Sequence, residues 1–438
     1  MVLKTIIKML SKEWDKNAGF AIFTQINNRS FMIFNYRNLA FILSVVLFYA
    51  CSESEYVYKA QPVDIKITEK NGTFEVEGSS VFQLPDTFVW GGSPVQIDDN
   101  YYLFFSAWES GPDVPPFSQS WVLNSKIGVA VSDSPYGNFQ SLGIFLKGRE
   151  LQGDSSAWDA QMVHNPLIKS FNGKYYLYHI GSRDSGKPQE GESGANLSKR
   201  NRIQQNQKIG VIEFESVEEL LDGSFQRSET PLLEPRTRIK KDNVINPSPE
   251  GIVAKPDNLI VVNPAVVQRP SDGKYLLFFK GNIYDPGWRG VHGVAIGGTP
   301  AGPFSATDQF VFDVDDGTGE KVSAEDPYVW FHRKDDCFYA VVKDFTGKLT
   351  RSEPGLALLK SESGLEWTPA ENPLFMKKEL FLKDGTTLKV NRLERPQLLF
   401  DENDDPMVLY AACSIDPCNT KQDGGTFNVQ IPIGKVKK

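Results

Sequence analysis

Three carboxylates stand beside prolines in the second half of the chain, in Glu325-Asp326-Pro327 and Glu394-Arg395-Pro396. Acids gathered out of water repel one another and push at least one carboxyl pKa upward, which is what a general acid needs near neutrality. A purely structural protein gains little from such a cluster, because each charge must be desolvated. The plainer alternative is that these acids bind a stabilising cation or cap turns. Three other x-Pro steps precede them: Ser93-Pro94, Asn165-Pro166 just after His164, and Asn263-Pro264. The elements that carry these steps decide whether they meet.

The carriers are copies of one unit. Each x-Pro opens an apolar segment, which a Gly or Asp turn joins to an aromatic strand and then to a glycine-containing third strand. NGKYYLYHIGS at 172–182 precedes KIGVIEF at 208–214, and DGKYLLFFKGN at 272–282 precedes HGVAIGG at 292–298. DDCFYAVVKDF at 335–345 precedes GLALLKS at 355–361. Such runs read as hairpins within four-stranded antiparallel units. Five units predict an all-β fold, a five-bladed β-propeller over residues 86–438, because a radial array leaves few strand edges exposed. The inner strand of every blade then lines the axis, and Ser93, His164, Asn165, Asn263, Glu325, Asp326, Glu394 and Arg395 converge on one mouth. Helical signal is weak, the best lying around Val217 to Leu221. A polar insertion near 183–207 and a Pro-rich one near 231–256 read as loops that shape access to that mouth.

Composition limits the setting. The chain has 438 residues, 40% hydrophobic and 23% charged, with a net charge of −8. That is a globular composition, and it argues against general affinity for nucleic acid or anionic membrane. Residues 39–50, LAFILSVVLFYA, follow Arg37 and precede Cys51, and are too short to span a bilayer comfortably. Residues 1–50 are read as an over-long N-terminus, with a true start at Met32, plus a lipoprotein-type signal peptide. Cys51 would carry a lipid anchor to the outer or cell membrane, placing the body in the periplasm or at the cell surface, with 51–85 as linker and extension. An uncleaved signal anchor is the alternative, and it too places the body outside the cytoplasm. Cys337, Cys413 and Cys418 have no zinc-site spacing, although the last two are close enough to close a small loop.

Glu325-Asp326-Pro327 with Tyr328-Val329-Trp330, Glu394-Arg395-Pro396, and Gly302-Pro303-Phe304 after a third strand resemble signatures of the five-bladed glycoside hydrolases of family 43 and its relatives, such as families 117 and 32. The resemblance covers roughly residues 86 to 436 and implies acid/base hydrolysis of an oligosaccharide, with inversion. It implies that Asp326 tunes pKa and orients substrate, that Glu394 is the acid, and that a base comes from blade two. The matching residue there, Asn165, cannot take a proton. Asp159, in Trp158-Asp159-Ala160-Gln161, and Glu325 are the candidates in its place, and His164 could also move a proton.

Sugar recognition needs aromatic faces and fixed polar groups. Trp288, Arg289 and His292 share one loop, and Asn165, Asn263 and His164 are predicted at the mouth. Lys280, Lys343 and Arg395 either neutralise the acids or read an anionic sugar through charge-assisted hydrogen bonds. An exo-acting hydrolase of a complex, anionic or anhydro-sugar polysaccharide is expected. A non-catalytic surface glycan-binding protein is one alternative. A phosphorylase resembling family 130, with the cations holding phosphate, is the other. No cofactor is required, no metal ligands are assigned, and a calcium or other divalent ion in the central channel remains compatible.

Overall fold

The aromatic middle strands carry almost no polar alternation because neighbouring blades cover both of their faces. Lys174–Ser182 is buried along seven successive residues, and Cys337–Asp344 behaves likewise. The computed structural model describes residues 56–437 apart from 71–72, 193, 237–252, 285–287, 315–321 and 416–424. The expected signal peptide, Cys51, Cys418 and most of the Pro-rich insertion lie outside the described residues.

Five antiparallel sheets are arranged as a propeller. Blade one is Thr87–Ile97, Asn100–Glu109, Lys126–Ser132 and Gln140–Leu146; blade two is Met162–Phe171, Lys174–Ser182 and Lys208–Phe214. Blade three is Val262–Gln268, Tyr275–Tyr284, Trp288–Gly297 and Phe304–Val311; blade four is Ala324–His332, Cys337–Asp344, Gly355–Ser361 and Thr368–Lys377. Blade five runs Arg392–Phe400, Pro406–Ser414, Thr426–Lys437 and then Tyr56–Ala60. The inner strands adjoin in chain order, and that of blade five meets that of blade one, closing the ring. Two details depart from the sequence reading. Blade two has three described strands, with Leu233 bridging Ile209 where a fourth would lie. The propeller also begins before residue 86, because Tyr56–Ala60 pairs with the last strand and supplies the outer edge of blade five.

Apolar cores sit between blades. Phe278, Val294, Phe338 and Leu359 join blades three and four, and Phe105, Phe82 and Tyr410 join blades one and five. Each fully buried aromatic of this kind contributes roughly 1.5–3 kcal/mol. The two insertions at the mouth end of blades one and two contain short helices that the sequence did not announce, Phe117–Asn124 and Lys199–Gln204, which pack against each other. The helix expected near 217 is present as Val217–Asp222.

Every inner strand is interrupted at the same place. The register slips between Trp90 and Ser93, His164 and Leu167, Val262 and Ala265, Glu325 and Tyr328, and Glu394 and Gln397. At these bulges Asn165, Asn263, Asp326 and Arg395 hold φ between 50° and 56°. A bulge re-aims the side chain at the point where pairing breaks. Blade one corrects the sequence alignment: its bulge falls on Gly91-Gly92, two residues before Ser93-Pro94, with φ 69° and 133°. Ser93 therefore does not take the mouth position but bonds inside the channel, its hydroxyl donating to Gln397 Oε1 at 3.1 Å.

The closing edge is held by Asp405, whose carboxylate accepts from Tyr58 Oη at 2.8 Å and from Lys435 Nζ at 2.6 Å. Tyr58→Phe removes one of these bonds while keeping the ring. It is expected to lower unfolding free energy by about 1–3 kcal/mol in urea titrations; unchanged stability would show that this edge does not secure the ring.

Candidate active site

The five bulges surround a cavity of about 400 Å³. The residues at the bulge itself form a chain of hydrogen bonds. Asn165 Nδ2 donates to Asn263 Oδ1 at 2.8 Å, and Asn263 Nδ2 donates to Asp326 Oδ1 at 2.6 Å. Arg395 donates to the same carboxylate through its backbone N–H at 3.1 Å and through Nη1 at 3.3 Å. Gly91 contributes no side chain, so the chain spans four blades of five.

The residues one step earlier form a ladder of alternating charge. Lys280 Nζ donates to Glu325 Oε1 at 2.6 Å; Lys343 Nζ donates to Glu394 Oε1 at 2.5 Å and lies 3.6 Å from Glu325 Oε2. Arg392 Nη1 reaches Glu394 Oε2 at 3.3 Å. The lysines occupy their places because they pair across the sheet with the residue preceding each bulge, Lys280 with Val262 and Lys343 with Glu325, and each leans toward the next blade.

Adjacent carboxyls are driven apart in proton affinity. Burial and the neighbouring Glu325 push Asp326 up, to about 6, against the pull of Arg395. Burial acts on Glu325 in the same sense, but Lys280 and Lys343 outweigh it and hold this carboxyl well below the usual range. Burial favours the neutral form of Lys343, yet Glu394, Glu325 and Asp326 together raise it. His164, with Nδ1 2.7 Å from Ser125 Oγ, is kept neutral by burial and by Arg395. It packs against Trp121 at 4.7 Å between ring centroids.

The cavity has two unlike halves. Blades one and two supply Trp90, Trp108, Phe117, Trp121, His164, Asn165 and the amides Asn201, Gln204, Gln205 and Gln207. Blades three to five supply Asn263, Lys280, Asn282, Glu325, Asp326, Arg392, Glu394 and Arg395. The structure thus brings together Glu325, Asp326, Glu394, His164, Asn165, Asn263, Lys280 and Arg395, with Lys343 behind the two glutamates.

Other expected site residues lie elsewhere. Asp159 does not line the cavity. Trp158 stacks on His179 at 5.7 Å and lies against Gly181 and Gly210, where a Cβ would come within 2.6 Å of the indole. That packing turns Asp159 toward Arg149 Nε at 3.0 Å and toward Arg227, so it is unavailable as a base at the mouth. Arg289 is drawn to Asp313 at 3.1 Å, and His292 is buried against Phe312, where burial lowers its pKa to about 3. Neither lines the cavity, and the Trp288 side chain lies outside the described residues. Arg392 escaped the sequence reading, although strand alternation puts it on the same face as Glu394.

A divalent ion fits this site poorly. Each carboxylate already faces an ammonium or guanidinium group, which an ion would have to displace, and no cluster of three or more metal-binding side chains occurs among the described residues.

No family model and no curated protein matches the chain. Among solved structures it is similar to Zg3597, a family 117 glycoside hydrolase of the marine bacterium Zobellia galactanivorans, at 15% identity and TM-score 0.47, over 87% of this chain and 90% of that one. It is also similar to a thermostable family-43 glycoside hydrolase, at 12% identity and TM-score 0.47, over 81% and 92% of the two proteins. An endo-arabinase from Bacteroides thetaiotaomicron follows at 13% identity and TM-score 0.45, over 81% and 97%. The five-bladed fold itself rests on the sheets described above.

Because its folded pKa is raised, Asp326 stabilises the protein at low pH, and that contribution is lost as pH rises from the ordinary 3.8 through about 6. Asp326→Asn is therefore expected to flatten the fall in unfolding free energy across that window in a urea series. An undiminished slope would mean that another group carries it.

Proposed function

We propose that the chain is an exo-acting glycoside hydrolase that removes sugar units from the ends of fragments of a complex polysaccharide. The observation that carries this reading is the Glu325–Lys343–Glu394 arrangement. Two carboxylates on neighbouring blades share one ammonium, at the edge of a pocket walled by tryptophans and of a size to hold a sugar or two. The adjacent carboxyls Glu325 and Asp326 are held at different proton affinities, as acid/base chemistry near neutrality requires.

In this reading Glu394 protonates the departing glycosidic oxygen. Glu325, kept ionised by Lys280 and Lys343, faces the anomeric carbon. Asp326 fixes Asn165, Asn263 and Arg395 at the floor of the site through the hydrogen-bond chain. No carboxylate from blades one to three lines the cavity among the described residues, which leaves Glu325 and Asp326, and Asp326 is engaged by Asn263 and Arg395. The shared Lys343 limits the separation of Glu325 Oε2 and Glu394 Oε1 to at most the sum of 3.6 and 2.5 Å. That bound concerns the nearest oxygens, and it admits the roughly 5–5.5 Å of a retaining pair. With Glu325 as nucleophile the reaction would retain configuration, where the family resemblance implies inversion. The export segment and lipid anchor expected at residues 39–51 would suit an enzyme that meets polysaccharide outside the cytoplasm.

Phosphorolysis is a second reading, favoured by Arg395, whose Nε and Nη2 are buried without partners among the described residues.

Glu394→Gln should lower turnover by at least about a hundredfold while leaving sugar binding within a few-fold. Product release measured by chromatography and binding by calorimetry separate the two effects. A wild-type protein that binds sugar and never turns it over would be a glycan-binding module instead. The anomer first formed, followed by proton NMR, should match that of the substrate. Dependence of product release on added phosphate would replace hydrolysis with phosphorolysis.

A further inference from the structure

The helix Lys199–Gln204, inserted in blade two, bears directly on what the pocket reads. Its position is fixed at several points. Ser198 Oγ accepts from Asn201 N–H at 3.2 Å, Ser182 Oγ donates to Ile203 O at 2.6 Å, and Arg202 forks onto Asp184 at 2.8 and 2.7 Å. Asn201 and Gln204 line the same cavity as the charge ladder. Behind them, outside the cavity, Arg200 Nη1 donates to Asn201 Oδ1 at 3.0 Å and to Gln204 Oε1 at 2.6 Å. Its Nη2 donates to Ser118 O at 2.8 Å and so links this helix to Phe117–Asn124.

A guanidinium group only donates. Arg200 therefore selects the oxygen of each amide and leaves Asn201 Nδ2 and Gln204 Nε2, which have no partner among the described residues, as the groups available to a ligand. Arg392 adds a cation to the cavity lining beside the helix Phe117–Asn124, with its guanidinium carbon 5.5 Å from the Phe117 ring and 6.0 Å from that of Trp90. A sugar hydroxyl placed here can accept hydrogen bonds, but its own proton finds few acceptors. A carboxylate or sulfate oxygen only accepts, and at Asn201, Gln204 and Arg392 it meets donors alone.

We infer that Arg200 is a positioning residue that makes this wall a donor-only subsite for an anionic substituent, a carboxylate or sulfate ester, on the bound sugar. The inference rests on the sugar-cleaving reading of the same cavity and names the class of sugar that it takes. A wall that offers only donors rejects neutral isosteres by leaving a buried proton unpaired, and it favours the anion through charge-assisted bonds.

The test uses the full chain and calorimetric titration with the C6-carboxylate, C6-sulfate and C6-hydroxyl forms of galactose and of glucose. At least one acidic form should bind at least about tenfold more tightly than its neutral counterpart. The carboxylate and sulfate arms show which anion is read. Arg200→Leu frees both amides to rotate and should reduce the preference to within about threefold. Arg200→Lys should keep part of it, and Gln204→Glu should reverse it. Neutral forms that bind as tightly as acidic ones in the wild type would overturn the inference while leaving the hydrolase reading intact, and that comparison needs no variant. A preference that survives Arg200→Leu in a folded protein would overturn the role of Arg200. Failure of all six sugars to bind would contradict the sugar reading of the cavity, and this inference with it.

Discussion

The carboxylate of Asp326 is the fixed point of the structure. An ionised carboxylate only accepts hydrogen bonds, so Asn263 must turn Nδ2 toward it, and that leaves Asn263 Oδ1 to receive Asn165 Nδ2. Arg395 closes on the same group from the other side. One charge thereby orients side chains from blades two, three, four and five. The cost is local: four non-glycine residues hold left-handed backbone, and Arg395 has no short side chain to ease it. Such strain persists where the surroundings over-determine it, and here the ring of blades does so.

From that fixed point the cavity divides its tasks. The charge ladder on blades three to five keeps Glu325 and Glu394 within reach of one ammonium, and the repulsion it concentrates on Asp326 gives neighbouring acids different proton affinities. The other half combines Trp90, Trp108 and His164 on blade strands with Phe117, Trp121, Asn201 and Gln204 on insertions, whose chemistry can change without disturbing the ladder. Charged groups on strands, with insertions completing the wall, is the arrangement expected when a rigid scaffold must fix some groups while others vary.

Much of this was readable from the sequence. The recurring x-Pro step marked the bulge in four blades because Asn, Asp or Arg before proline left a visible signature, and aligned copies put Lys280 and Lys343 opposite it. Blade one misled because Gly91-Gly92 reach positive φ without any proline, while the nearby Ser93-Pro94 copied the motif. Asp159 misled for a packing reason: proximity in sequence said nothing of Trp158, whose bed on Gly181 and Gly210 turns the carboxylate away. The helices over the mouth left little trace, since Phe117–Asn124 and Lys199–Gln204 are too short for periodicity to show. The outer strand Tyr56–Ala60 was hidden because its partner is at the opposite end of the chain.

The most direct test of the central claim, that Glu325 and Glu394 act as a pair across Lys343, is mechanism-based trapping. The protein is incubated with an activated 2-fluoro glycoside of a sugar that it cleaves, and the labelled peptide is mapped by mass spectrometry. The account predicts a single covalent adduct on Glu325. An adduct on a residue outside this cluster, or none at all while hydrolysis proceeds with inversion, would contradict it.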